Sequence, residues 1–421
     1  MIEKYYSGVI EQIYNRIGKE TRNIVMANYS NDFSIENLEV IRRYQSNEDN
    51  VFFAYSEFSY NTLVGAYEPF LDIICNMHRR FIGGSFDDFQ KECGVYYLHR
   101  QVLNSYYETG ECFREETVLL NEVAYEQRRM TMAIADMLKR LSEVRPLMIV
   151  INRFQMASKS SIETIKYLID NPCANIGIVL GVNAIVKGAD STVEVWDRIV
   201  ESLEDRSAIY YIGSAGPLKN NIKTTNDDEL YITMNFEQSI QEASNIMEFL
   251  DYEQARRGCR IIEHKIKFEN AWIDEKSLRR FYLVYARTSV LLGEMSKAIE
   301  LMNEYKALIP ENDSEHYFSL YYFMKGTCYM YQGKLEKAEG CAKKAYDYAL
   351  LADDELLEFK SELLSVMIKM SGWYNIFFCV QDIPVSDEII EKLIKHGYRN
   401  HLAHIYIYAY DNSRDVVKQS F

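Results

Sequence analysis

Apolar and polar positions alternate along residues 1–225 in a way that predicts strands separated by helices. Short continuous apolar runs, typical of buried strands, occupy residues 23–28, 51–59, 147–152, 176–182 and 208–213. Apolar residues spaced three or four apart predict helices at 35–44, 68–81 and 160–170, and over most of 85–146. Because continuous apolar strands separated by helices favour a parallel sheet covered on both faces, residues 1–225 are predicted to form an α/β domain.

Residues 214–230 are the most linker-like stretch of the chain. Their sequence, SAGPLKNNIKTTNDDEL, combines Gly, Pro, Asn and Thr without an apolar period. This composition predicts a domain boundary between residues 225 and 226. From 226 to 421 the apolar spacing is helical, so the second domain is predicted to be all-α.

Small residues recur through this second domain at a regular distance. Glycines 293, 333 and 372 are spaced 40 and 39 residues apart. A glycine ends a helix at a turn, and small residues within helices allow two helices to cross closely. The repeat signature consists of Ala255, Gly293, Ala298, Pro310, Gly326, Gly333, Ala338 and Gly372. The alternative is an ordinary helical bundle in which this spacing is a coincidence.

This order of small residues, turn glycine and closing proline resembles the tetratricopeptide repeat. Its period, longer than the usual 34 residues, is similar to that of the repeats in bacterial signalling ATPases. The resemblance implies a solenoid of stacked helix pairs whose concave surface binds a protein or peptide.

Residues 128–170 resemble the Walker B region of bacterial signal-transduction ATPases with numerous domains, the STAND class, which is AAA-like. A helix leads through Arg145 and Pro146 into the apolar strand, and Gln155 follows it. In that family the strand ends in two acidic residues, of which one holds magnesium and the other activates water. Here those two positions are Asn152 and Arg153. An amide brings no charge and a guanidinium is no base, so ATP hydrolysis is not expected.

The Walker A region is also degenerate. In the family's order of elements it falls on the first strand and the loop after it, where Asn28, Ser30 and Ser34 are the polar candidates. Residues 29–36 contain neither Gly nor Lys, and GxxxxGK[ST] occurs nowhere in the chain. Asn183 takes the place of the family's polar sensor residue, although a helix cap or turn is the favoured role. ATP is therefore possible but not expected, and no cofactor is predicted.

Composition narrows the partners and the compartment. The net charge is −15 and the pI about 5.1, which disfavours nucleic acid and anionic membrane surfaces as partners. Eight cysteines without a CxxC pair indicate reduced, core-type thiols in a cytoplasmic protein. No stretch approaches 18 uncharged apolar residues, so no membrane span is predicted.

No catalytic or metal site is predicted. His401 and His404 lie three apart on a candidate helix, which is compatible with metal binding, but a solvated or capping role is favoured. No Ser-His-Asp or Cys-His arrangement can be recognised from the order of residues, so the chain is not expected to be an enzyme.

The sequence thus predicts a regulatory or signalling protein with a degenerate P-loop NTPase-like scaffold and a tetratricopeptide-like array for protein binding. Two alternatives stay open: an ATP-binding STAND-type switch that controls transcription or a cyclase output domain, and a purely structural adaptor. The array ends at residue 421 without an obvious polar capping helix, so we expect the natural protein to continue.

Overall fold

The computed structural model describes residues 2–30, 38–46, 50–59, 63–116, 118–183, 193–213, 215, 235–268, 273–312, 314–375 and 386–406. The contacts divide the chain into two units. The α/β unit comprises Met1–Phe113 and Asn121–Ala271, and the helical unit comprises Arg114–Leu120 and Trp272–Phe421. The predicted α/β domain followed by a helical region is confirmed at this level.

A five-stranded parallel sheet is the centre of the α/β unit, as the apolar runs predicted. Its strands are β1 (Ile24–Tyr29), β2 (Phe52–Glu57), β3 (Leu147–Asn152), β4 (Ile176–Asn183) and β5 (Ile209–Ile212), in the order β2-β3-β4-β1-β5. Every residue of β3 and β4 is buried, as expected for strands that are covered on both faces.

The helices described in the α/β unit follow in chain order. They are α1 (Ile2–Arg16), α2 (Glu39–Ser46), α3 (Phe70–Met77), α4 (Phe86–Glu92), α5 (Tyr97–Thr109), α6 (Val123–Val144), α7 (Lys159–Asp170), α8 (Val193–Glu204), α9 (Phe236–Glu248) and α10 (Tyr252–Phe268). A π-helical turn, His78–Ile82, follows α3. The apolar sides of α1 and α2 pack on one sheet face, where Tyr6 and Ile10 join Ala27, Tyr29 and Val150 in one core cluster.

Helices α9 and α10 belong to the α/β unit, because their polar and apolar groups find partners there. Asn245 Oδ1 accepts a hydrogen bond from the Cys112 N–H at 2.9 Å. Gln254 donates to the carbonyl of Val64 at 3.0 Å, and Ala255 is completely buried.

The boundary predicted between residues 225 and 226 therefore does not coincide with the division by contacts, which falls after Ala271. Ala255 lies in the second helix of a helical pair, but that pair is not part of the helical unit. A linker-like composition marks a break between elements. It cannot indicate which neighbour will bury the apolar faces of the next two helices.

The helical unit is an array with a period of 40 residues. Its helices are α11 (Glu275–Leu291), α12 (Met295–Ala307), α13 (Glu315–Tyr331), α14 (Leu335–Leu351), α15 (Glu355–Asn375) and α16 (Asp387–Lys395), and residues 399–406 are also helical. The first helices of three successive pairs begin at Glu275, Glu315 and Glu355, 40 residues apart. Neighbouring helices along the chain pack on one another from α11 to α16.

Two glycines form the turns within the first two pairs. Gly293 follows α11 with φ 77° and Gly333 follows α13 with φ 71°, the left-handed region that glycine adopts without strain. Gly372, in contrast, lies inside α15 and ends no helix, so its predicted role as a third turn glycine is wrong. The sequence MSGWYN continues the helical pattern, and a single glycine is tolerated within a helix at a modest cost.

Small residues also lie where helices of the array approach each other. A Cβ built on Gly326 would lie 2.9 Å from Leu364 Cδ2 and 3.3 Å from Cys341 Cβ, so α13 has no room for a larger side chain there. Ala298 and Ala338 are completely buried. Pro310 lies in the loop after α12.

Within the described part of the chain, no helix combines the length and the apolar character that crossing a membrane requires.

Candidate functional site

Three of the predicted site residues, Asn28, Asn152 and Asn183, lie at the carboxyl edge of the sheet. Parallel strands end at the same edge, and β1 and β3 are each paired with β4. The register places Tyr29 opposite Asn183. Asn152 and Asn183 therefore end the neighbouring strands β3 and β4, and Asn28 is the penultimate residue of β1.

Tyrosine side chains fill the space between these strand ends. The Tyr29 hydroxyl donates a hydrogen bond to Asn152 Oδ1 at 2.7 Å, and both residues are completely buried. Tyr6 of α1 packs edge-to-face on Tyr29 with ring centroids 6.4 Å apart. A Cβ built on Gly181 would overlap the Tyr6 hydroxyl and would lie 2.8 Å from Asn152 Oδ1. Burial, together with nearby Tyr55 and Glu57, raises the pKa of Tyr6, so its phenol stays neutral.

Arg153, which directly follows β3, is directed towards the end of β2. Its backbone adopts the left-handed conformation with φ 54°. Its Nη1 lies 3.0 Å from Glu57 Oε1 and donates to the carbonyl of Phe58 at 3.3 Å. The guanidinium is thus engaged by an acid and a carbonyl of its own unit.

The other candidates of this edge differ in their surroundings. Gln155 Oε1 accepts a hydrogen bond from the Asn183 N–H at 3.2 Å. Gln155 Nε2 and Asn28 Oδ1 are buried and have no hydrogen-bond partner in the described part of the chain. Ser30 lies half-buried directly after β1, and Ser34 lies outside the described residues.

The described end of β3 offers no carboxylate to a magnesium ion, because Asn152 and Arg153 occupy it. Magnesium prefers anionic oxygen ligands, whereas Asn152 offers a neutral oxygen that already accepts the Tyr29 hydroxyl. The positively charged side chain of Arg153, which directly follows Asn152, is paired with Glu57.

A second candidate site lies in the helical unit, where a short segment of the chain is seated that ends at the first residue of the 3-10 helix Leu120–Glu122. The segment is Arg114–Leu120, of which residue 117 is outside the described residues. Its Glu115 carbonyl accepts a hydrogen bond from the Tyr398 hydroxyl at 2.6 Å. Its Leu120 N–H donates to the Tyr331 hydroxyl at 3.2 Å. We call Arg114–Leu120 the internal segment.

Glu116 is the anchoring side chain of the internal segment. It is completely buried, and its Oε1 lies 3.0 Å from the His401 N–H and 2.8 Å from His401 Nδ1. Tyr398 precedes the first turn of the helix at residues 399–406, because its carbonyl accepts from the Leu402 N–H. The His401 N–H is therefore one of the helix-terminal donors that have no partner within the helix, and the carboxylate satisfies it.

The sequence favours a solvated or capping role for His401, but the structure buries this side chain, so the solvated role is wrong. His401 contacts Glu116, and within the described residues no group of three or more ligating side chains could hold a metal ion. Sequence reasoning missed the partnership because Glu116 and His401 are 285 positions apart. Only the apolar residues that follow His401, Leu402 and Ala403, indicated that the histidine could be buried.

Three carboxyl groups come together where α9 packs within the α/β unit. A Cβ built on Gly65 would lie 2.7 Å from Glu68 Oε1 and 2.9 Å from Glu242 Oε1. Burial, followed by the charges of Glu242 and Asp72, raises the pKa of Glu68 to about 7. Burial and Asp72 also raise the pKa of Glu242. Glu68 is therefore partly protonated near neutral pH.

The α/β unit also has an open cleft of about 450 Å³, lined mainly by α6 and α7. Several of its charged groups have partners. Lys159 pairs with Glu253 at 2.8 Å and Lys166 with Asp170 at 2.6 Å. Asp251 accepts from the Ser160 N–H at 3.0 Å.

Comparisons with protein-family models, with curated proteins and with solved structures found no match to this chain.

Proposed function

We propose that this chain is a regulatory protein whose helical unit binds a segment of a protein, and whose α/β unit is a P-loop-like scaffold without ATP hydrolysis. The observation that carries the proposal is the seating of the internal segment. The helical unit contacts it through the carbonyl of Glu115, the N–H of Leu120 and the carboxylate of Glu116. A surface that contacts main-chain groups in this way can bind peptides. The resemblance of the array to tetratricopeptide repeats supports the same role.

The first prediction is that the helical unit binds the same peptide when it is supplied from outside. We expect a labelled peptide of residues 113–122, FREETVLLNE, to bind the full chain carrying Glu116→Ala more tightly than the wild type. The internal segment competes at the high effective concentration of a tethered ligand. Loss of a charge-assisted hydrogen bond weakens this competitor by roughly 10-fold to 100-fold. Fluorescence anisotropy measures the affinity.

Glu115→Ala is the matched control, because it removes the same charge but keeps the main-chain carbonyl that Tyr398 contacts. It should behave like the wild type. His401→Gln in the chain that carries Glu116→Ala should abolish the gain. If the Glu116→Ala chain retains its helical circular dichroism and binds no peptide, the helical unit is not a peptide-binding surface.

The α/β scaffold gives a second prediction, which concerns nucleotide. Because Asn152 and Arg153 are engaged by Tyr29 and Glu57, we expect no saturable binding of ATP with magnesium and no hydrolysis. Calorimetric titration up to about 1 mM nucleotide would detect a site worth roughly 4 kcal/mol or more.

One observation favours the alternative of an ATP-binding switch. Asn28 Oδ1 and Gln155 Nε2 are buried without a partner in the described part of the chain, and a ligand would supply partners. Saturable ATP binding that is lost in Asn28→Ala, but kept in the exposed control Glu92→Ala, would establish this alternative and exclude the scaffold role. A purely structural adaptor would show neither ATP binding nor peptide binding.

A further inference from the structure

We propose that the partner of the helical unit presents a non-helical segment with a glutamate followed, two and three positions later, by apolar residues, and that its binding releases the internal segment. This inference rests on the proposed function and specifies the partner of the same site. The internal segment serves as the template, because it occupies that site in this structure.

The helical unit recognises the glutamate by the charge and by the length of its side chain. The Glu116 carboxylate is completely buried, and an ionised group loses its hydration there unless donors replace the water. His401 supplies a backbone N–H and an imidazole to the same oxygen. Aspartate is one methylene shorter and glutamine brings no charge, so neither reproduces both the reach and the electrostatic attraction.

The apolar positions follow from the burial of the next residues. Val118 and Leu119 of the internal segment are each only 7% exposed. Burial of two aliphatic side chains removes apolar surface from water and so favours binding without directional demands. We therefore expect Val, Leu, Ile or Met at both positions of a partner, and polar residues to weaken binding.

The main-chain contacts exclude a helical occupant. Tyr398 needs an accessible carbonyl at the position of Glu115, and Tyr331 needs an accessible N–H five residues later. In the middle of a helix both groups are engaged in the helical hydrogen-bond ladder. The partner segment is consequently one that is disordered or in a loop before it binds.

The internal segment determines the affinity or concentration that a partner needs in order to occupy the site. Since it is tethered to the site, the apparent affinity of any competitor is reduced by the fraction of molecules in which the site is closed. A partner at low concentration leaves the segment in place, whereas a tighter or more concentrated partner displaces it. The partner and the internal segment thus compete for one site, so that binding of the partner releases Arg114–Leu120.

Binding of peptide variants to the full chain carrying Glu116→Ala tests the partner chemistry. Relative to FREETVLLNE, we expect peptides with aspartate or glutamine at the position of Glu116 to bind at least about 10-fold more weakly, the loss of one charge-assisted contact. A peptide with serine at the positions of Val118 and Leu119 should also bind at least about 10-fold more weakly. Glutamine at the position of Glu115 is the matched control and should bind like the parent peptide.

Hydrogen exchange of the wild-type chain tests the release. The added peptide is uniformly labelled with ¹³C and ¹⁵N, so that its fragments differ in mass from those of the chain. At saturating peptide we expect faster exchange in fragments covering residues 113–121, and unchanged exchange in β4. Release is measured in the wild type, where folding is not in doubt.

The outcomes separate this inference from the function on which it rests. If peptides bind but the Asp, Gln and Ser variants bind equally well, the partner chemistry is overturned and the peptide-binding role stands. If the parent peptide binds while residues 113–121 keep their slow exchange, displacement is overturned. If no peptide binds the Glu116→Ala chain, the proposed function itself has failed.

Discussion

Replacing Gly181 with alanine is expected to destabilise the α/β unit by about 2–3 kcal/mol, the upper part of the range for overpacking a buried site. The new methyl group would overlap the Tyr6 hydroxyl and lie 2.8 Å from Asn152 Oδ1. Neither side chain can give way easily, because both are completely buried. Urea denaturation followed by Trp196 fluorescence, with Trp272 and Trp373 replaced by phenylalanine, measures the free energy of unfolding.

Two further variants test whether the destabilisation arises from the contact between residue 181 and the tyrosine side chains at the strand ends. Tyr6→Phe removes the nearest obstacle, so the double variant should recover about 1 kcal/mol relative to the sum of the single effects, a coupling typical of groups in contact. Gly8→Ala is the matched control in α1, where an added Cβ meets nothing within 4 Å, and it should not destabilise. If Gly181→Ala and Gly8→Ala have equal effects, the strand ends are not tightly filled.

Replacing Glu68 with glutamine is expected to stabilise the α/β unit at pH 8, by up to about 3 kcal/mol, and to have little effect at pH 5. In the folded chain, burial and the neighbouring acids raise the pKa of Glu68 from 4.5 to about 7. A group whose pKa is higher in the folded than in the unfolded state adds fully to the free energy of unfolding below its unfolded-state pKa. This stabilisation is lost as the pH rises through the folded-state pKa. Wild-type stability should therefore decline between about pH 5 and pH 7 and then level off, and Glu68→Gln should remove this decline.

Urea denaturation of the same tryptophan-reporter background across this pH range measures the effect. Glu242→Gln should act in the same direction, because it removes a charge that opposes ionisation of Glu68. Glu92→Gln, in an exposed position of α4, is the control and should leave the pH dependence unchanged. Parallel stability curves for the wild type and Glu68→Gln would show that these carboxyl groups are not coupled to folding.

Local periodicity was sufficient to predict most of the elements. The run LMIVIN predicted β3 with its observed bounds, Leu147–Asn152, because a short apolar stretch between helical patterns leaves few alternatives. The 40-residue spacing of Gly293 and Gly333 also corresponds to the period at which α11, α13 and α15 begin. Gly372 misled the assignment because glycine spacing alone cannot distinguish a turn from a glycine inside a helix.

The two candidate sites could be predicted only in part. The resemblance drew attention to Asn152, Arg153 and Asn183, and the parallel sheet brings their strand ends together. Nothing in the sequence indicated that Tyr6 and Tyr29 would fill the space between these ends.

Residue types and short spacings are enough to predict the parallel-strand segments, the 40-residue helical period and the absence of an acidic pair at the end of β3. These properties depend on residue type and on short spacings, which fix hydrogen-bonding capacity and the face that each element buries. The tertiary structure alone decided that α9 and α10 join the α/β unit, and that the internal segment is seated in the helical unit. Those outcomes depend on pairings such as Glu116 with His401, 285 positions apart, which arise only when the chain brings distant surfaces into contact.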